Sequence, residues 1–145
     1  MKTYFDHEKL DVYQEAIAFC GWVGDLLNEI GAKAAVKDQL DRASTSIPLN
    51  IAEGNGKFSV ADRARFLEIA RGSALECAAS LDVLAARRFV YAERVIPAKE
   101  QLVRIVNMLM GMLKRFSRRP EFLREDAGLY GIEHDHEQEQ EHEYQ

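Results

Sequence analysis

The sequence predicts an all-α fold, an antiparallel up-down-up-down four-helix bundle, and three observations carry that expectation. Proline and glycine are scarce, at three and nine of 145 residues, too few for a turn-rich all-β design. Apolar residues recur at three- and four-residue steps through four windows, and no window alternates as a strand would. The connections between windows are short, which forces consecutive helices to lie antiparallel.

The first helix is expected over residues 7–29. Leu10, Ala16, Ile17, Phe19, Cys20, Val23, Leu26, Leu27 and Ile30 form its apolar face, wide enough to touch more than one neighbour. Asp6 reads as its N-cap and Gly31 as its C-terminal stop. Phe19, Trp22 and Leu26, at i, i+3 and i+7, read as an outward stripe and a candidate oligomer interface. The bland alternative is a wide core face.

The second helix is expected over residues 36–53, with Val36, Leu40, Ala43, Ile47 and Ile51 stepping by 4, 3, 4 and 4. The third is expected over residues 61–88, capped by Ser59, with a small-residue stripe of Leu67, Ala70, Ala74, Cys77, Ala78, Leu81, Leu84 and Ala85. Its many alanines allow a neighbouring helix to come close. The fourth begins at about Arg94 or Ile96 and ends at Ser117. Its face is Leu102, Ile105, Val106, Leu109, Met110, Met112, Leu113 and Phe116, and Pro97 near its start costs little. Residues 1–132 are expected to form the bundle domain, with a short docked segment at residues 121–132. Residues 133–145 read as a disordered acidic tail.

Charge follows the same division. The formal net charge is -5, but residues 133–145 hold six acids and no Lys or Arg, leaving 18 acids against 19 bases elsewhere. A near-neutral body argues against strong non-specific nucleic-acid binding and leaves room for a local basic patch. Cys20 and Cys77 sit in apolar helical patterns and match no metal or redox spacing. Both read as reduced, which fits the cytoplasm. No apolar run approaches ~20 residues, so no membrane span is expected.

The densest chemistry lies at residues 42–56, Arg-Ala-Ser-Thr-Ser-Ile-Pro-Leu-Asn-Ile-Ala-Glu-Gly-Asn-Gly. Pro48 lacks an amide hydrogen and crowds the carbonyl of Ser44, at a cost of ~3 kcal/mol in a helix interior. Either the helix stops near Ser46 and restarts, or it continues with a kink. Leu40 and Ala43 before the proline are in phase with Ile47 and Ile51 after it, which favours the kink. The hydroxyls of Ser44, Thr45 and Ser46 can bond nearby backbone carbonyls. Gly54 and Gly56 read as helix-closing residues. Asn50 suits either an inter-helix hydrogen bond or a contact with a partner. Glu53 has Arg42, roughly 16 Å away along the helix, or the more reachable Arg65 as a charge partner.

Leu10-Asp11-Val12-Tyr13 with Ala16, Gln39-Leu40, the 42–56 stretch, and Arg65-Phe66-Leu67-Glu68-Ile69-Ala70-Arg71-Gly72-Ser73 with Glu76 together resemble the 23S rRNA intervening-sequence protein family, whose members are also called four helix bundle proteins. The resemblance spans about residues 10–116. It implies an antiparallel four-helix bundle, self-association into a homopentamer, and no enzymatic activity or cofactor. The family-motif residues it singles out are Arg42, Ser44, Ser46, Pro48, Asn50, Glu53, Gly54, Gly56, Arg65, Phe66 and Glu76. A more distant resemblance is to the accessory variability proteins of diversity-generating retroelements. It implies a pentamer that binds nucleic acid through a basic surface, from which the near-neutral body here departs.

Other chemistries are weak. His134, His136 and His142 can chelate a metal only loosely from a tail without a rigid closed shell, so no metal site is expected. Ser44, Ser46, Ser73 and Cys77 lack a histidine partner in the body beyond His7, and no nucleophile elbow is present. Gly54-Asn55-Gly56-Lys57 lacks the strand and spacing of a phosphate loop. No small-molecule substrate is implied. Lys114, Arg115, Arg118 and Arg119, with Arg124, form a basic cluster at the end of the fourth helix, and Arg87, Arg88 and Arg94 form a second at the opposite pole. Such clusters either offset the helix macrodipole or contact phosphates. The sequence therefore points to a non-enzymatic self-assembling scaffold that binds RNA, a ribonucleoprotein or a partner protein. The alternative is a purely structural or protein-interaction module.

Overall fold

The computed structural model describes residues 2–30 and 35–117. A 3-10 turn at Asp6–Lys9 leads into four α-helices: α1 (Asp11–Glu29), α2 (Ala35–Asn55), α3 (Val60–Ala86) and α4 (Ala92–Ser117). Among the described residues there is no strand. The expected Gly31 stop, residues 118–132 and the acidic tail lie outside the described residues.

Each helix packs on its sequence neighbours and α4 closes the ring onto α1; α2 and α3 make the most extensive pair. Cross-helix contacts fix the directions. Glu15 of α1 takes Gln101 Nε2 at 2.9 Å and Arg104 Nε at 3.1 Å, and Glu29 takes Arg94 Nη2 at 3.1 Å. Low numbers on one helix thus meet high numbers on the other. Lys99 reaches Asp82 at 2.7 Å between α4 and α3, and Asn55 donates to Asp6 at 3.1 Å. The bundle is antiparallel up-down-up-down. These ion pairs are solvent-exposed and contribute ~0.2–1 kcal/mol each; they set register more than stability.

The core is the predicted apolar set. Phe19, Leu26, Leu40, Ile47, Ile51, Leu67, Leu81, Leu84, Ile105 and Leu109 are fully buried. Burying one such side chain contributes about 1.5–3 kcal/mol, so the core and not the surface pairs holds the bundle together. Ser59 caps α3 as predicted, its hydroxyl accepting from the Asp62 amide at 3.1 Å. Asp6 does not cap α1. It opens the 3-10 turn and ties that turn to α2 through Asn55, while Leu10 precedes α1 with extended backbone.

The end of α3 carries a feature the sequence does not announce. Arg88 adopts a left-handed φ of 64°. The Phe89 amide bonds the Leu84 carbonyl at 3.0 Å and the Arg88 amide bonds Ala85 at 3.0 Å. This is a Schellman closure with arginine where glycine is usual.

Candidate functional site

The helix α2 runs unbroken through Pro48, as the phase of Leu40, Ala43, Ile47 and Ile51 predicts; all four are buried. Residue 48 has no amide hydrogen, so the carbonyl of Ser44, four residues back, loses its helical donor. The Cys20 thiol of α1 takes that place, donating to the Ser44 oxygen at 3.1 Å. A proline in one helix is thus matched by a sulfhydryl from its neighbour. The Ser44 and Thr45 hydroxyls donate one turn upstream, to the Asp41 carbonyl at 2.9 and 2.8 Å.

The α3 side of α2 is polar but satisfied. Asn50 Nδ2 donates to the Ser46 carbonyl at 2.8 Å and to the Ser46 hydroxyl at 2.9 Å, and the buried Ser73 of α3 donates to the same hydroxyl at 2.8 Å. Asn50 therefore acts within α2, and Ser46 carries the inter-helix link. One level along, Gln39 donates to Glu76 at 2.9 Å.

Gly54 differs from its expected role. It is a buried helical residue, and none of the described glycines has a positive φ. A Cβ there would stand 2.9 Å from the Phe66 Cβ and 3.3 Å from the Arg63 carbonyl. The glycine is needed for close approach of α3, not for a left-handed stop. Gly56 closes the helix by backbone bonds to Ala52 and Glu53. The turn beyond is clamped: Arg63 Nε donates to the Lys57 carbonyl at 2.7 Å, and the Lys57 ammonium lies 4.9 Å from the Phe66 ring centre.

The outer side of α2 is open. Asp41, Arg42, Thr45, Ser46, Leu49, Asn50 and Glu53 line a shallow concavity of about 440 Å³. Leu49 is 61% exposed at its centre. Arg65 pairs with Asp62 at 2.8 Å and not with Glu53. Neither Arg42 nor Glu53 finds an ion-pair partner among the described residues. Sequence reading named Arg42, Ser46, Asn50 and Glu53 but missed Leu49, whose only signal is an apolar side chain standing off the 4-3-4-4 core stripe.

The proposed outward stripe on α1 is corrected. Phe19 and Leu26 are fully buried, because α1 spreads its apolar face between α2 and α4. Only Trp22 is partly accessible. Its ring stacks on Phe19 with centroids 6.3 Å apart, and the Arg94 guanidinium lies over it at 5.0 Å.

The helix directions bring the start of α1, the end of α2, the start of α3 and the end of α4 to one pole. Lys2, Lys9, Lys57, Lys114 and Arg115, far apart in sequence, share that end of the bundle. Arg115 is exposed. Arg118 and Arg119 lie outside the described residues. Arg87 and Arg88 sit at the opposite pole, where Arg88 also serves the Schellman closure.

The titrating groups suit packing more than chemistry. Burial, with Cys20 and Glu76 adding, pushes the Cys77 thiol up to about 12. Burial, helped by Asp41, also raises Cys20, so both remain neutral thiols. The hydrogen bond from Gln101 holds Glu15 below the ordinary carboxylate range, with Arg104 assisting against desolvation. Among the described residues no three of His, Cys, Asp and Glu converge as metal ligands, and no helix is long and apolar enough to cross a membrane. The tail histidines lie outside the described residues.

A family model described as 23S rRNA-intervening sequence protein matches residues 8–111. No match is found among curated proteins. A solved structure from Bacteroides thetaiotaomicron, described as a protein with unknown function from the S23 ribosomal protein family, is 24% identical. It covers 71% of this chain and 98% of its own, with a TM-score of 0.68, a likeness of fold.

Proposed function

We propose, from the premise that the chain belongs to the 23S rRNA-intervening sequence protein family, that it is a non-enzymatic scaffold of the cytoplasm that self-assembles and binds RNA or a ribonucleoprotein. The observation that carries this reading is the division of labour within the motif of α2. Ser44, Ser46, Pro48 and Gly54 are used up in holding the bundle, and Asn50 bonds within α2. Arg42, Leu49 and Glu53 are left on an open face with no internal partner.

That face mixes both signs of charge around an exposed leucine. It suits another protein surface, in the first place another copy of the chain in a ring such as a homopentamer, better than a phosphate backbone, which Asp41 and Glu53 repel. The pole with Lys2, Lys9, Lys57, Lys114 and Arg115 also holds Asp6, Glu8, Asp11 and Asp62; its cations outnumber these acids, and it is the better match of the two for phosphate. A ring multiplies its contacts, so the modest charge of one copy becomes effective.

Light scattering tests the assembly. The wild type is expected at several times 16.5 kDa, and Leu49→Asp at a markedly lower mass with its helicity intact. A wild-type mass near 16.5 kDa overturns the scaffold reading. RNA binding is tested against salt: affinity is expected to fall steeply from low to moderate salt. No binding at low salt leaves the purely structural or protein-interaction alternative.

A further inference from the structure

The same pole carries three of the five exposed aromatic rings among the described residues. Phe58 is 102% exposed, Tyr4 76% and Phe5 66%. Single exposed apolar residues are ordinary, and Tyr91 and Phe89 are exposed at the opposite pole; what sets this end apart is how its rings are held. The Asp6–Asn55 hydrogen bond at 3.1 Å fixes the N-terminal turn against the end of α2. Phe5 adjoins one partner of that bond in sequence, and Phe58 follows the other by one turn of chain. Phe5 is also pre-set. Its ring stacks on the His7 imidazole at 5.8 Å and 12°, and His7 is braced edge-on by Tyr13 at 4.8 Å. One face of Phe5 is backed and much of the ring meets solvent. Lys2 lies over Tyr4 at 5.6 Å and Lys57 is next to Phe58 in sequence.

We infer that this pole is a stacking platform for the unpaired bases of a single-stranded RNA, with Phe58 and Phe5 as the stacking rings and the neighbouring lysines meeting the backbone. The inference rests on the RNA-binding reading and adds its site and strandedness. Exposed rings with cations beside them, Lys2 over Tyr4 and Lys57 next to Phe58 in sequence, match a strand that alternates planar bases and phosphates. A protein interface instead wants a contiguous apolar centre with charge at its rim.

The experiment measures fluorescence anisotropy of a labelled oligouridylate of about twelve nucleotides, a length typical of such grooves, and of a duplex of equal length, at low salt. The wild type is expected to prefer the single strand. Phe58→Ala and Phe58→Leu are each expected to weaken it about tenfold, the loss typical of one stacked base, while Phe58→Trp keeps it. Phe58 is fully exposed, so circular dichroism of all three should match wild type. If every variant binds as wild type does, or the duplex binds equally well, the platform is refuted and the RNA reading survives. If the wild type binds neither probe, the RNA reading itself fails. If Phe58→Ala lowers the mass seen by light scattering, the ring contacts another copy of the chain, and the inference is wrong.

Discussion

Replacing Cys20 by Ala removes the donor that serves the Ser44 carbonyl across from Pro48. Two losses follow. The thiol hydrogen bond at 3.1 Å is a weak one, and leaving a carbonyl in a protein interior without it costs about 0.5–1 kcal/mol. Losing the half-buried sulfur costs about as much again in packing. The single variant is therefore expected to lose about 1–2 kcal/mol. The informative quantity is the double-mutant cycle with Pro48→Ala. An alanine at 48 restores an amide hydrogen, which returns to the Ser44 oxygen in the ordinary helical way. In that background Cys20→Ala costs only the packing share. The coupling between the two positions is expected to be about 0.5–1 kcal/mol. Urea unfolding followed by circular dichroism measures it, with all four proteins at one concentration because self-association adds to apparent stability. If the two changes add to within about 0.3 kcal/mol, the thiol does not compensate the proline and the account of α2 is wrong.

Gly54→Ala places a Cβ 2.9 Å from the Phe66 Cβ and is expected to destabilise by about 1–3 kcal/mol as α3 is pushed away, read as a lower urea midpoint. Arg88→Gly relieves a left-handed φ of 64° and is expected to stabilise by about 1 kcal/mol, read as a higher melting temperature. Glu15 has its carboxyl depressed by Gln101 and Arg104. Its contribution is present above the ordinary carboxylate range and is lost as pH falls through its lower folded value. Glu15→Gln is therefore expected to flatten the acid limb of stability against pH by lowering stability in the neutral region, while the acid end, where Glu15 is already protonated, is little changed, as read from urea midpoints across pH.

The four helices and the core were legible because burial imposes a period on the chain, and Ile47 and Ile51 keep that period beyond Pro48. Ser59 was legible because a cap acts on an amide three residues away. What the sequence hid was tertiary. Nothing in the text around Cys20 says that a carbonyl orphaned by Pro48 stands opposite. Gly54 carries the signature of a helix end, while its actual constraint is the distance between two helix axes. Phe19 and Leu26 looked outward because a wide apolar face reads the same whether it serves a core on two sides or a partner outside. Of the site, Arg42, Glu53, Lys114 and Arg115 were named, but Asp41, Lys2, Lys9, Leu49, Phe58 and Phe5 were not. Their meaning lies in exposure, which depends on how neighbouring elements are placed.

The close pairing of α2 and α3 bears on the order in which the molecule assembles. These helices join through residues 56–59, and their contacts zip outward from that loop, from Gly54 against Phe66 to Ser46 with Ser73. Closing so short a loop sacrifices little chain entropy, and local contacts of this kind form early. The hairpin is the natural nucleus, with α1 and α4 docking afterwards. Substitutions within the hairpin then act mainly on the rate of folding, and those on the outer pair mainly on the rate at which the native state comes apart.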